Sequence, residues 1–160
     1  MTLTRVPRFG WRSAGFRLVS RGESVGRNFM EFAFPWPMTN GEWLAFGGAA
    51  LTLLFGLILF FAPRLALKAL FLQTRPEHPE AVAEARSTMA GFHLGLGLCC
   101  ILLAQPLLYM ALGICWVCAA FGRLVSILSD RGGTLANWVW LGVELLLAGL
   151  PLAYAFGFFP

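Results

Sequence analysis

Charge is what this sequence has least of. Asp, Glu, Lys and Arg make up 12% of its 160 residues, where a water-soluble chain carries about 25%. Apolar residues reach 58% and the mean hydropathy is +0.72. Water would not tolerate that balance, but a bilayer requires it. The formal net charge of +4 belongs to a few polar segments, so no nucleic-acid partner is expected. The cysteines Cys99, Cys100, Cys115 and Cys118 all lie within apolar runs, which excludes the disulfide framework of a small secreted domain. His78 and His93 stand alone, no Gly-rich phosphate loop occurs, and Asn28-Phe29-Met30 breaks the glycosylation pattern. Neither a metal site nor a cofactor is therefore expected, and no catalytic set is recognisable. No internal repeat or linker divides the chain, which has the length of one domain.

Residues 1–42 form a polar, basic leader, in which Arg5, Arg8, Arg12, Arg17, Arg21 and Arg27 stand against Glu23 and Glu31, with Glu42 at its very end. It has no apolar segment of the secretory kind. Its composition is that of an organelle transit peptide, of an extension ahead of a start at Met30 or Met38, or of a disordered tail that touches anionic lipid. Residues 43–160 read as an all-α integral membrane domain. About 20 apolar residues cross a bilayer, and the spacing predicts spans over 43–62, 87–105, 107–128 and 137–159. Pro63 ends the first span. Arg64 to Gln73 reads as a short amphipathic helix in the interface, with Arg64 and Lys68 one turn apart and leucines opposite. Pro76 and Pro79 make a loop before the second span. The short turns at Gln105-Pro106 and at 129–134 imply an antiparallel up-down bundle of four transmembrane helices. Gly91 and Gly95 offer a GxxxG step for close packing.

Orientation is nearly balanced. Arg64, Lys68, Arg75, Arg86, Arg123 and Arg131 lie toward one side and the arginines of the leader toward the other. Only basic residues close to a span count strongly, and of the leader only Arg27 is close. The polar loops are therefore expected in the cytoplasm and both termini outside, the multi-pass topology of a bacterial inner-membrane protein.

Charges within a span cost about 2.5–3.5 kcal/mol each on insertion scales, so they need a partner or a task. Two occur, Arg123 and Glu144. At about 1.5 Å per residue they lie roughly 9 and 12 Å from the same membrane face, on adjacent antiparallel helices. A buried ion pair is the simplest reading. Arg86, Ala90, His93, Gly97, Cys100 and Ala104 recur at helical spacing, which would bring Arg86 and His93 toward the same place. Arg86, His93, Arg123 and Glu144 thus form a candidate intramembrane polar cluster. It is either a clasp between helices, a site for a quinone, lipid head group or small anion, or a path for protons or solutes. The cysteines could support redox or metal chemistry, but both want a thiolate, and packing as small hydrophobes suits an apolar setting better.

The segments Glu84-Ala85-Arg86, Ala90 to Leu98 (AGFHLGLGL) and Phe121 to Arg131 (FGRLVSILSDR), with Glu144 in the last span, resemble a family of small bacterial four-helix membrane proteins, domain of unknown function 4345. The resemblance covers about residues 43–157. It implies an acid–x–Arg before a Gly-rich second helix, a Gly-Arg near the end of the third and a glutamate in the fourth, and it implies no activity. The architecture also resembles DoxX-type proteins, some of which are linked to quinone or thiol redox systems. The residues favour a non-enzymatic accessory or scaffold subunit of a larger membrane assembly. The alternatives are a quinone- or lipid-binding redox helper and a small carrier or channel subunit. The bilayer, other membrane subunits, and a quinone or anionic lipid are the partners to expect.

Overall fold

A computed structural model describes residues 34–75 and 77–158. Most of the basic leader lies outside the described residues. Those described are helical, with no strand among them. The helices are α1 (Asn40–Phe61), α2 (Pro63–Ala69), α3 (Glu80–Leu103), α4 (Pro106–Ser129) and α5 (Leu135–Ala155). All except α2 are long and apolar enough to cross a membrane, so the protein is a multi-pass membrane protein.

Helix α1 starts at Asn40, ahead of the expected Trp43, because Thr39 and Glu42 cap it reciprocally. The Glu42 N–H donates to Thr39 Oγ1 at 3.2 Å, and Glu42 Oε2 accepts from the Thr39 N–H at 3.1 Å. Pro63 opens α2, whose Ala66 and Leu67 are buried while Arg64, Leu65 and Lys68 are exposed. Ala66 packs with Leu59 of α1 and Ala90 of α3. A left-handed Ala104, φ 45°, reverses the chain between α3 and α4.

Small residues on α1 set the packing. A Cβ on Gly56 would lie 2.8 Å from the Leu94 nitrogen, and one on Gly97 of α3 would lie 3.1 Å from the Ala49 carbonyl. On the other flank of α1, Gly48 lies against Pro151 of α5, where a Cβ would sit 3.2 Å from the proline Cδ. Gly113 of α4 admits Leu152 of α5. These registers run α3 and α5 antiparallel to α1, and α4 antiparallel to α5. Helices α3 and α4, though joined by a tight turn, touch far less than α3 touches α1. The expected GxxxG step is not the contact, since Gly91 and Gly95 both face open space. The core is Ala45, Ala49, Cys100, Tyr109, Leu112, Trp116, Leu147 and Ala148. Large apolar side chains such as Phe92, Phe121 and Leu128 point outward, as lipid-facing residues do.

Candidate functional site: a polar-floored cavity between the helices

Arg123 on α4 and Glu144 on α5 meet inside the bundle. Arg123 Nε and Nη2 both donate to Glu144 Oε1, at 2.9 and 2.7 Å. Arg123 Nη1 donates to Asn137 Oδ1 at 3.1 Å. The Asn137 amide is itself fixed, because its Nδ2 donates to the Gly132 carbonyl at 2.8 Å. Asn137 lies in the first turn of α5, which Thr134 caps by accepting the Asn137 N–H at 3.3 Å. Each guanidinium nitrogen thus has a partner. Glu144 is only 6% exposed, and its second oxygen, Oε2, is buried without a hydrogen-bond partner among the described residues. Leaving a buried acceptor unpaired costs about 1–3 kcal/mol, and more when it is charged.

His93 on α3 is half-buried. Its Nδ1 meets the carbonyl of Met89. A carbonyl can only accept, so Nδ1 carries the proton, and in the neutral ring Nε2 is left as an acceptor at the opposite edge. The ring stands edge-on to Phe55 at 5.1 Å and to Trp116 at 5.5 Å between centroids. Trp116 is held in turn from α1, donating from Nε1 to Thr52 Oγ1 at 3.0 Å while that hydroxyl donates to the Gly48 carbonyl at 2.8 Å.

These groups border a cavity of about 400 Å³ whose walls include Phe55, Met89, Ala119, Trp140 and Leu147, with His93, Arg123 and Glu144 as its polar members. Leu51, Leu54, Ile58, Val143 and Leu146 also line it and are exposed on the outer surface of the bundle. The mouth of the cavity therefore lies among side chains that face lipid.

Arg86 is not brought to this place. It is exposed and borders a surface depression with Arg64, Arg75 and His78. The cause is a π-helical turn over Ala85–Met89. The extra residue in that turn rotates everything before it by about 100° relative to a regular helix. Ala85, 1% exposed, takes the inward position that regular spacing assigns to Arg86. Ala90, Gly97 and Cys100, beyond the π turn, are buried as spaced.

Cys100 is a core residue whose Sγ donates to the Leu108 carbonyl at 3.4 Å. Cys99, Cys115 and Cys118 are free and exposed on the outer surface. No group of three or more His, Cys, Asp or Glu side chains converges among the described residues. Asn137, Thr52 and Trp116 were not singled out by their sequence context. The only cue was that Asn137 and Thr52 are polar residues inside apolar runs.

The arrangement can hold a small amphipathic molecule, with its apolar body against the aromatic walls and its polar end at Glu144 and His93. Among the described residues that line the cavity, no hydroxyl or thiol nucleophile stands beside a base. Comparison with curated proteins and with solved structures finds no match. A family model described as Domain of unknown function (DUF4345) matches residues 42–155, so the chain belongs to that family.

Proposed function

We propose that this protein is a non-enzymatic accessory or scaffold subunit of a larger assembly in the bacterial inner membrane, and that it holds a quinone- or lipid-type molecule between its helices. One observation carries the reading: an apolar cavity of about 400 Å³ with three ionisable side chains on its wall and a mouth among lipid-facing leucines. Binding sites are concave and mostly apolar, with a few placed polar groups, and an ionisable residue at membrane depth is by default a candidate site. A ligand arriving sideways from the bilayer needs no aqueous entrance. The polar loops at 70–79 and 130–134 face the cytoplasm in this reading, because the basic residues nearest the spans lie there.

The test is extraction. Protein purified from its native membrane in mild detergent should release a lipid-soluble molecule in near-stoichiometric amount, identified by mass spectrometry. Ala119→Trp, which sets an indole on the cavity wall, should reduce or abolish it. Leu128→Trp, on the outer surface, should not. Equal amounts of the same lipids from all three proteins would refute the binding role.

A further inference from the structure

Resting on the binding role just proposed, we infer that the polar end of the ligand is an uncharged hydrogen-bond donor, a hydroxyl, received by Glu144 and His93. Among quinone- and lipid-type molecules this selects the hydroxyl-bearing members, a quinol or a hydroxylated lipid, over the oxidised quinone and over an anionic head group.

The inference follows from which valences are left open. Among the described residues Arg123 is the only cationic side chain on the cavity wall, and three of its five N–H groups already donate, two to Glu144 Oε1 and one to Asn137, which leaves one N–H on each Nη. Its charge is matched by the carboxylate it touches. An anion entering here would meet a neutralised guanidinium and a carboxylate beside it. A cation would add an unmatched charge to an interior where charge is costly. Besides those two N–H groups, which belong to a guanidinium already paired with a carboxylate, the open valences are acceptors. Glu144 Oε2 is buried and unpartnered. His93 is tied to its own helix through Nδ1, so its Nε2 lone pair points away from that helix. A carbonyl ligand could take an Arg123 N–H, but it brings a third acceptor and satisfies neither of these two. A hydroxyl satisfies one of them, and a molecule with two hydroxyls could satisfy both.

Oε2 needs only a small movement to receive such a donor. The last torsion of a glutamate is broad and soft, and Arg123 grips the other oxygen. A small turn about that torsion moves both oxygens together, so Oε2 turns toward the cavity only as far as Oε1 stays within reach of the two Arg123 donors.

The test uses the full chain in lipid nanodiscs and three probes with one tail: ring-brominated para-nonylphenol, its methyl ether and its phosphate ester. Bromine quenches tryptophan only near contact, and Trp116 and Trp140 line the cavity; Trp11, Trp36, Trp43 and Trp138 are replaced by Phe throughout, so that only these two report. The phenol should bind about tenfold tighter than the ether, as expected for a hydrogen bond to a charged acceptor, and the phosphate ester should bind weakest. In Glu144→Gln the amide keeps an oxygen for Arg123 and offers N–H where Oε2 stood, so the preference for the phenol should vanish or reverse. His93→Phe, which leaves the ion pair intact, should weaken the phenol more than the ether. Equal affinity of phenol and ether in the unaltered protein, or tightest binding by the phosphate ester, would overturn the inference and leave the cavity reading standing. Quenching that is absent, or that persists unchanged in Ala119→Phe, would instead remove the cavity reading itself. If Glu144→Gln does not fold, the probe series on the unaltered protein and on His93→Phe decides alone.

Discussion

Trp116 donates its indole N–H to the hydroxyl of Thr52 at 3.0 Å, deep between α4 and α1. These two helices share little other contact, so one hydrogen bond fixes the aromatic wall of the cavity relative to the helix opposite. The hydroxyl passes the bond on to the Gly48 carbonyl, and Thr52 is only 2% exposed.

Thr52→Val keeps the shape and removes the acceptor, which leaves the indole N–H unpaired in an apolar interior. The expected loss is about 1–3 kcal/mol, read as a lower unfolding temperature in detergent. Thr52→Ser keeps the hydroxyl and should lose much less. Equal losses for Val and Ser would mean that packing by the methyl group, and not the bond, holds Trp116.

Helix contacts on α1 depend on missing side chains, and the glycines separate sharply. Gly56→Ala sets a Cβ 2.8 Å from the backbone nitrogen of Leu94, and a backbone atom cannot step aside as a side chain can. Overpacking of this kind costs about 1–3 kcal/mol. Gly95→Ala meets nothing within 4 Å and should be neutral or slightly stabilising, since alanine is the better helix former. Thermal unfolding of both variants checks the order. A harmful Gly95→Ala beside a harmless Gly56→Ala would mean that α3 packs through its other face.

Topology is read by single cysteines at Thr74, Ser129 and Phe158, in a protein with Cys99, Cys100, Cys115 and Cys118 replaced. An impermeant maleimide should reach Thr74 and Ser129 from the cytoplasmic side, and Phe158 from the opposite side. Labelling of Thr74 and Ser129 from different sides would contradict the four-span arrangement. Labelling of both from outside would overturn the orientation alone.

The spans were legible because charge is scarce over long stretches, and the Arg123–Glu144 contact because rise per residue places both at one depth. What packs against what was not legible. In water the buried face of a helix is the apolar face. In lipid both faces are apolar, and only residue size separates them. Gly91-x-x-x-Gly95 and the Gly56 and Gly97 contacts look alike in sequence, yet only the latter meet a neighbour. Arg86 fell outside the cluster because a π-helical turn rephased the helix before His93, and a regular spacing cannot anticipate it. Asn137 was hidden by its place near a helix start, where a capping role looks sufficient until Arg123 is seen against it.

The Arg123–Glu144 unit is the claim on which the cavity and its ligand both rest, and a double-mutant cycle tests it most directly. Arg123→Leu strands a carboxylate that is 6% exposed, and Glu144→Leu strands the guanidinium. Removing one partner of a buried pair costs about 3–5 kcal/mol, whereas replacing both by apolar groups can be nearly neutral. Unfolding of the two single variants and the double variant in one detergent measures the coupling. The expected result is a large loss for each single change and recovery of most of it in the double. Single variants that unfold like the unaltered protein, or losses that simply add in the double, would contradict an interior unit and place both groups within reach of water.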